Sequence, residues 1–183
     1  MKKFFLSILF IVFATYNVSA QKKGDFYLGG NLGVITDSAF ISGGNGSTTV
    51  TQFDIIPEIG YFVADRLMVG FGLGYGITAG DYTNHSLAIA PKISYFAPLC
   101  KNLYYTPAFE FGFVYANSDG YGLPGLGVGL TLVGLEFRPT EHFGFSASLV
   151  SLNYTMLSRH GVTFNNIDFS FCTNPYIGFK YYF

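Results

Sequence analysis

Charged residues are scarce in this chain of 183 residues, because Asp, Glu, Lys and Arg together make up only 11% of it. A typical soluble domain carries about 25% charged residues. Trp is absent, yet 21 Phe and 14 Tyr raise the aromatic content to 19%, whereas chains that stay disordered are poor in aromatic residues. The formal net charge of −1 lacks the basic excess of nucleic-acid-binding domains, so no nucleic-acid partner is expected. Length and composition together predict one folded and unusually apolar domain.

The N-terminal segment has the composition of a targeting sequence. Two lysines precede the apolar residues 4–14, and the small residues 18–20 (Val-Ser-Ala) follow. A basic start, a short apolar run and small residues before a cleavage point are typical of a secretory signal peptide. We therefore expect residues 1–20 to be cleaved and residues 21–183 to form a single exported domain.

Long apolar runs are missing from the rest of the chain. The nearest candidate, Leu126 to Leu135, is interrupted by three glycines and falls short of the roughly 18 residues that a membrane-spanning helix needs. In lipid, only helices and closed barrels satisfy all their backbone hydrogen bonds internally. The exported domain is therefore expected to be either a β-rich soluble fold or a transmembrane β-barrel.

Apolar and polar residues alternate with a period of two along most of the expected mature chain. In the fifth such segment Phe109, Phe111 and Phe113 share one face and Glu110 lies on the other. Successive side chains of a strand point to opposite faces, so each segment predicts one apolar and one polar face. Eight segments follow this pattern: residues 25–37, 49–63, 67–78, 87–96 and 103–115, and three more that begin near Leu126, Phe143 and Ile167.

The sixth segment changes phase, since Leu130 and Leu135 fall on opposite faces if the alternation is counted without interruption. A β-bulge near Leu132 would give them a common outward face and would turn Glu136 and Arg138 inward. The sequence therefore predicts a bulge at this position.

The predicted connections alternate between long and short. The four long ones are residues 38–48, 79–86, 116–124 and 158–166. Outer-membrane barrels have short periplasmic turns and longer extracellular loops. Eight strands then place both termini in the periplasm, and the four long loops become the candidate sites for an extracellular ligand or protein.

Charged residues decide between a soluble barrel and one in lipid. Eight of them fall within the predicted strands, all on the face opposite the apolar stripe: Asp54, Glu58, Lys92, Glu110, Glu136, Arg138, Asp168 and Lys180. A basic residue facing lipid at the midplane costs roughly 2–4 kcal/mol, so these charges belong in the lumen. Eight strands also enclose too little space for this many Phe and Leu side chains. The predicted fold class is all-β: an eight-stranded antiparallel up-and-down transmembrane β-barrel.

Two interpretations of the eight lumen charges remain open. They either form an internal ion-pair network that helps to close a narrow barrel, because buried charges must be paired, or they line a gated polar path. Alternating glycines on the third and sixth segments leave space inside the barrel. The large side chains expected to fill this space are Met68, Phe96, Tyr104, Tyr176 and Tyr182.

Candidate catalytic residues are few. The predicted second and fourth loops hold a hydroxyl and a base, the minimum for nucleophilic catalysis, in this set: Asp81, His85, Ser86, Ser158 and His160. Their spacing matches no known signature, so no catalytic residue is assigned. Three His and two Cys are too scattered to predict a metal site, no cofactor is expected, and Cys100 and Cys172 are predicted to be free thiols.

The C-terminal residues 176–183, Tyr-Ile-Gly-Phe-Lys-Tyr-Tyr-Phe, resemble the C-terminal signal of Gram-negative outer-membrane proteins. This resemblance implies recognition by the barrel-assembly machinery during biogenesis. The expected mature chain as a whole resembles the small eight-stranded barrels of the OmpA/OmpX type. Its Tyr- and Phe-rich, Trp-free composition resembles the outer-membrane β-barrel domain family common in Bacteroidetes. The resemblance implies a location in the outer membrane, among outer-membrane lipid and lipopolysaccharide.

The function expected from these patterns is that of an integral outer-membrane β-barrel that is not an enzyme. Its role would be structural or surface-interacting, through loop-mediated binding or envelope integrity, with a largely closed lumen. A small pore is the first alternative, and an outer-leaflet lipid-modifying enzyme is the second.

Overall fold

The computed structural model describes residues 22–40, 47–79, 83–118, 121–159 and 162–183. The predicted signal peptide lies outside the described residues. Within them the chain forms these strands: β1 (Phe26–Phe40), β2 (Ser47–Ala64), β3 (Leu67–Ala79), β4 (Thr83–Tyr95), β5 (Ala97–Cys100), β6 (Leu103–Tyr105), β7 (Ala108–Ser118), β8 (Tyr121–Phe137), β9 (Phe143–Arg159) and β10 (Val162–Tyr182). No helix in this described part of the chain is long and apolar enough to cross a membrane.

The long strands pair antiparallel in sequence order and close into a ring. The order is β1-β2-β3-β4-β7-β8-β9-β10, and β10 pairs back with β1. The short β5 and β6 prolong β4 and β7 at one end, where they pair with each other and β6 pairs with β8. This architecture confirms the predicted fold class, an eight-stranded antiparallel up-and-down barrel.

The outer surface of the ring is covered by exposed aliphatic and aromatic side chains. Along β7, for example, Phe109, Phe111, Phe113 and Tyr115 are all exposed, as the alternation predicted. Tyrosine and phenylalanine gather at both edges of this apolar belt. At the edge near the chain termini they include Phe26, Tyr61, Tyr95, Phe137, Phe143 and Tyr181, and at the other edge Tyr75, Tyr115 and Tyr121. Aromatic rings at both edges of an apolar band are typical of barrels in membranes.

The buried apolar core lies inside the barrel, at the end that carries both termini. We call it the aromatic plug, and its members are Tyr27, Phe62, Met68, Phe96, Tyr104 and Tyr182. The ring centroids of Phe62 and Phe96 lie 5.1 Å apart, and those of Tyr27 and Tyr182 lie 5.4 Å apart. Gly60 permits this packing, because a Cβ there would overlap the ring of Tyr27.

The predicted bulge in the sixth segment is confirmed. The pairing of β8 with β9 shifts on both sides of Val133, next to Leu132. Beyond the shift Glu136 points inward and is fully buried.

The predicted strand ends need correction. β1 and β2 continue their pairing to Phe40 and Ser47, inside the predicted loop 38–48. Strands likewise occupy most of the other predicted loops at residues 79–86, 116–124 and 158–166. The predicted ends fell where the apolar alternation stops. Backbone pairing needs no apolar side chain, and the Thr residues of these stretches favour strands.

The first and last strands pair over only part of their length. Their register runs from Tyr27–Tyr182 to Leu32–Ile177. The pairing of β10 with β9 shifts between Phe171 and Tyr176. In the described residues, β1 and β10 therefore close the ring in the half that carries the termini.

The wall also has a break, between β6 and β7. Thr106 and Pro107 interrupt the strand there, beside the bulge at Leu132. Proline has no backbone N–H to donate across the gap. The Tyr105 hydroxyl donates a hydrogen bond to the Leu132 carbonyl instead. A side-chain donor thus serves a backbone acceptor on the apolar surface.

Replacing Tyr105 by Phe should destabilise the barrel, because the Leu132 carbonyl loses this donor in an apolar environment. The expected loss in unfolding free energy is about 1–3 kcal/mol, measured by urea unfolding in lipid vesicles. Tyr95→Phe is the matched control, since Tyr95 is also outward-facing and its hydroxyl makes no hydrogen bond within the described part of the chain. Equal unfolding midpoints for the two variants would contradict the role given to Tyr105.

Candidate functional site

The lumen between the aromatic plug and the opposite end of the barrel holds two adjoining cavities of about 270 and 220 Å³. Both are lined by Gly74, Glu110, Asn153 and Tyr176. Glycines on β3 and β8 leave this space, because alternate inward positions on these strands carry no side chain. The cavities are the place where the predicted lumen charges can meet one another or a small ligand.

Glu58, Lys92 and Glu110 form the first charged cluster. The Lys92 ammonium lies 2.9 Å from Glu58 Oε2 and 3.2 Å from Glu110 Oε1. The strand between β2 and β4 is β3, which places Gly72 beside Glu58 and Gly70 beside Lys92. Because neither glycine has a side chain, the lysine reaches across β3 to the carboxylate.

Glu58 also accepts hydrogen bonds from β1. The Tyr27 hydroxyl donates to Glu58 Oε1, and Asn31 Nδ2 donates to Oε2 over 3.3 Å. Since Tyr27 belongs to the plug, this carboxylate joins the plug to the cavity above it. Neither partner was among the predicted site residues. The alternation signal was present, because Tyr27 and Asn31 lie opposite the outward Phe26 and Leu28.

Glu136 and Lys180 form a second ion pair, within the plug itself. Lys180 Nζ lies 2.8 Å from Glu136 Oε2, and the Tyr182 hydroxyl donates to Glu136 Oε1. The ammonium also lies 5.0 Å from the centroid of the Tyr27 ring, within the range of a cation–π interaction. The pair is buried and its carboxylate is fully satisfied.

Asp54 stands apart from both ion-paired clusters. It accepts hydrogen bonds from Gln52 Nε2 at 2.9 Å and from the Tyr176 hydroxyl at 3.0 Å. Tyr176 reaches it by crossing over Gly33, where a Cβ would overlap the tyrosine ring. No lysine or arginine lies within ion-pair distance of Asp54 among the residues that the structure describes.

The remaining two predicted lumen charges, Arg138 and Asp168, belong to neither ion-paired cluster. Arg138 follows the end of β8, and its guanidinium carbon lies 3.7 Å from the centroid of the Tyr182 ring. It donates to the Glu141 carbonyl at the rim and covers the plug from outside. Asp168 is exposed, but it pairs with Asn153, which lines the cavities, so it lies on the inner face of β10. The structure thus gathers five of the eight predicted residues into two ion-paired clusters, with Asp54, Arg138 and Asp168 outside them.

The residues considered for catalysis do not converge where the structure describes them. His85 faces outward, with Nδ1 2.9 Å from the Tyr75 hydroxyl, whereas Ser86 lines the lumen cavity. These neighbours therefore lie on opposite sides of the wall. Ser158 is exposed on β9, and Asp81 and His160 lie outside the described residues.

The two cysteines lie on different strands. Cys100 is exposed on β5 and is not in a disulfide, whereas Cys172 falls in β10 with a side chain outside the described set. Across the described ranges, no three His, Cys, Asp or Glu side chains converge as metal ligands would.

Several solved structures similar to this chain are β-barrels of bacterial outer membranes. Neisserial surface protein A is 12% identical, with a TM-score of 0.52 over 87% of this chain and 96% of that one. OprG of Pseudomonas aeruginosa is 17% identical, with a TM-score of 0.48 over 91% and 99% of the two chains. Ail, the attachment invasion locus protein of Yersinia pestis, is 13% identical, with a TM-score of 0.42 over 88% and 99%. No protein-family model and no curated protein matches the chain. The likeness to the neisserial protein agrees with the barrel fold.

Lys180→Met should be strongly destabilising, because it leaves the Glu136 carboxylate buried without its cation. Breaking one partner of a buried pair costs about 3–5 kcal/mol. The double variant Lys180→Met with Glu136→Gln should cost clearly less than the sum of the two single changes, since no unpaired charge remains. Urea unfolding in lipid vesicles measures the change in unfolding free energy for each single variant and for the double variant.

The control for this cycle is Glu110→Gln. The Glu110 side chain is 39% exposed and shares Lys92 with Glu58, so its loss should change stability little. Strict additivity of the Lys180 and Glu136 effects would contradict the inferred coupling.

Proposed function

We propose that this chain is an integral outer-membrane β-barrel with a structural or surface-interaction role, whose lumen does not conduct. Its exposed apolar belt and inward charges support a place in lipid, because the reverse arrangement would suit water. A catalytic role gains no support from His85 and Ser86, which lie on opposite sides of the wall. The observation that carries the proposal of a closed lumen is the aromatic plug.

The plug closes one end of the lumen by close packing of large side chains. Phe62, Phe96 and Tyr182 meet ring to ring across the barrel, and the Glu136–Lys180 pair fills the space beside them. Arg138 lies over the Tyr182 ring from the rim. Ions would have to displace both the rings and a buried ion pair to pass, so the lumen is a cup rather than a channel.

The orientation we propose places the plug and both termini in the periplasm. Tight turns support this assignment, since Arg66 and Asn102 at the plug end adopt positive φ values of 68° and 69°. Short turns are periplasmic in barrels of this kind. The cup then opens outward, and the rim of the loop-bearing end becomes the surface for an extracellular ligand or protein.

The proposal also covers how the chain is exported and assembled and which lipids surround it. Residues 1–20 serve as the cleaved signal peptide, and the C-terminal strand ending in Phe183 is recognised by the barrel-assembly machinery. Outer-membrane lipid and lipopolysaccharide surround the apolar belt. Two resemblances support this assignment: the C-terminal pattern to that of Gram-negative outer-membrane proteins, and the composition to that of the Bacteroidetes barrel family.

Planar-bilayer recording tests the closed lumen. Folded wild-type protein, verified by heat-shifted gel migration, should give no steady unit conductance. The double variant Phe62→Ala with Tyr182→Ala should conduct, because it removes two rings from the plug. Phe179→Ala is the control on β10, since Phe179 faces outward, and it should stay silent. Steady conductance by the wild type would overturn the closed lumen and favour the small pore.

A further inference from the structure

The break in the barrel wall creates an apolar groove of about 290 Å³ on the outer surface. Its floor is formed where β7 begins, at Pro107 and Ala108, beside Thr131. Pairing between β4 and β7 ends at Ser94–Ala108, and the bulge next to Leu132 widens the gap on the other side. The groove is thus a direct consequence of the interruption of the strand at Thr106 and Pro107.

Three backbone polar groups at this break are hydrogen-bonded within the protein. The Pro107 carbonyl accepts from Ser94 Oγ at 2.9 Å and from the Tyr95 N–H at 3.1 Å. The Thr106 N–H donates to Gly134 O at 2.8 Å. The third is the Leu132 carbonyl, which accepts from the Tyr105 hydroxyl. With these groups bonded, the groove presents mainly apolar side chains to an occupant.

The groove is continuous with the apolar belt. Tyr95 and Tyr105 stand at its girdle end, and Ile93, Phe109 and Leu130 flank it further into the belt. It therefore runs from the level of an aromatic girdle toward the middle of the belt, the direction that a lipid chain follows in a bilayer.

We propose that this groove is a binding site for one acyl chain of a membrane lipid. The proposal rests on the membrane location given above. An added strand would find the Pro107 and Leu132 carbonyls and the Thr106 N–H already bonded. A single hydrocarbon chain needs no hydrogen bonds, and it matches the mainly apolar lining of a groove that is continuous with the belt.

The position of the groove gives the bound chain a role. Ala108 and Thr131 line both the groove and the lumen cavity behind it, so the wall is thin at this point. An acyl chain in the groove covers the thin point from the lipid side and separates the polar lumen from the membrane.

Native mass spectrometry with dioleoylphosphatidylethanolamine tests the site. The protein is refolded in detergent, mixed with the lipid and released from micelles under graded collision energy. Wild type should retain one lipid. The double variant Leu130→Phe with Leu132→Phe should fill the groove and lower lipid retention by about tenfold, the effect of losing two buried methylene contacts.

The control is Leu28→Phe with Leu32→Phe, which makes the same two replacements on the outer face of β1, away from the groove. It should retain the lipid as wild type does. Equal retention by all three proteins, or no retained lipid on wild type, would overturn the site. Heat-shifted migration in vesicles is recorded separately. Failure of the wild-type protein to insert into vesicles would overturn the proposed membrane location. Insertion together with equal lipid retention by all three proteins would overturn only the lipid site in the groove.

Discussion

Hydrocarbon offers no hydrogen bonds, so every backbone N–H and C=O in contact with it must find a partner inside the protein. The closed ring of antiparallel strands meets this requirement along most of the wall. Where the ring is interrupted at Thr106–Pro107, side chains take over: Ser94 donates to the Pro107 carbonyl and Tyr105 to the Leu132 carbonyl. The same requirement explains why the carbonyls of Pro107 and Leu132 at this interruption are hydrogen-bonded within the protein, while the outer surface there is mainly apolar.

With the outside reserved for apolar side chains, the lumen must take the charges, and its narrowness decides how they are held. Glycines on β3 let Lys92 reach Glu58 across an intervening strand. At the plug end the space is filled instead by aromatic rings, and the Glu136–Lys180 pair is enclosed by them. Pairing limits the cost of burying these charges. The lumen is therefore divided into a closed end and a cup.

The alternation of residues was enough to predict the strands, their outward faces and the bulge near Leu132, because each follows from a period-two pattern. The partners of the inward charges could not be predicted. The Lys92–Glu58 pair depends on strand register and on the absence of side chains between them. Tyr27 was missed although the alternation places it inward, because its contact with Glu58 depends on the register of β1 against β2. The strands were predicted too short at their loop-bearing ends, because polar threonines continue the backbone pairing without adding to the apolar alternation.

The central claim is that the apolar side chains face lipid and the charged side chains face the lumen. Its most direct test is a nitroxide scan along β7 in lipid vesicles. Single labels are placed from Phe109 to Tyr115, omitting Gly112, where a Cβ would lie 2.9 Å from the Ala90 Cβ. Cys100 and Cys172 are first replaced by serine. Labels at Phe109, Phe111, Phe113 and Tyr115 should be accessible to dissolved oxygen and shielded from a water-soluble nickel complex, and labels at Glu110 and Val114 should not share this oxygen accessibility. Access of the nickel complex to the phenylalanine positions would contradict a lipid-facing exterior.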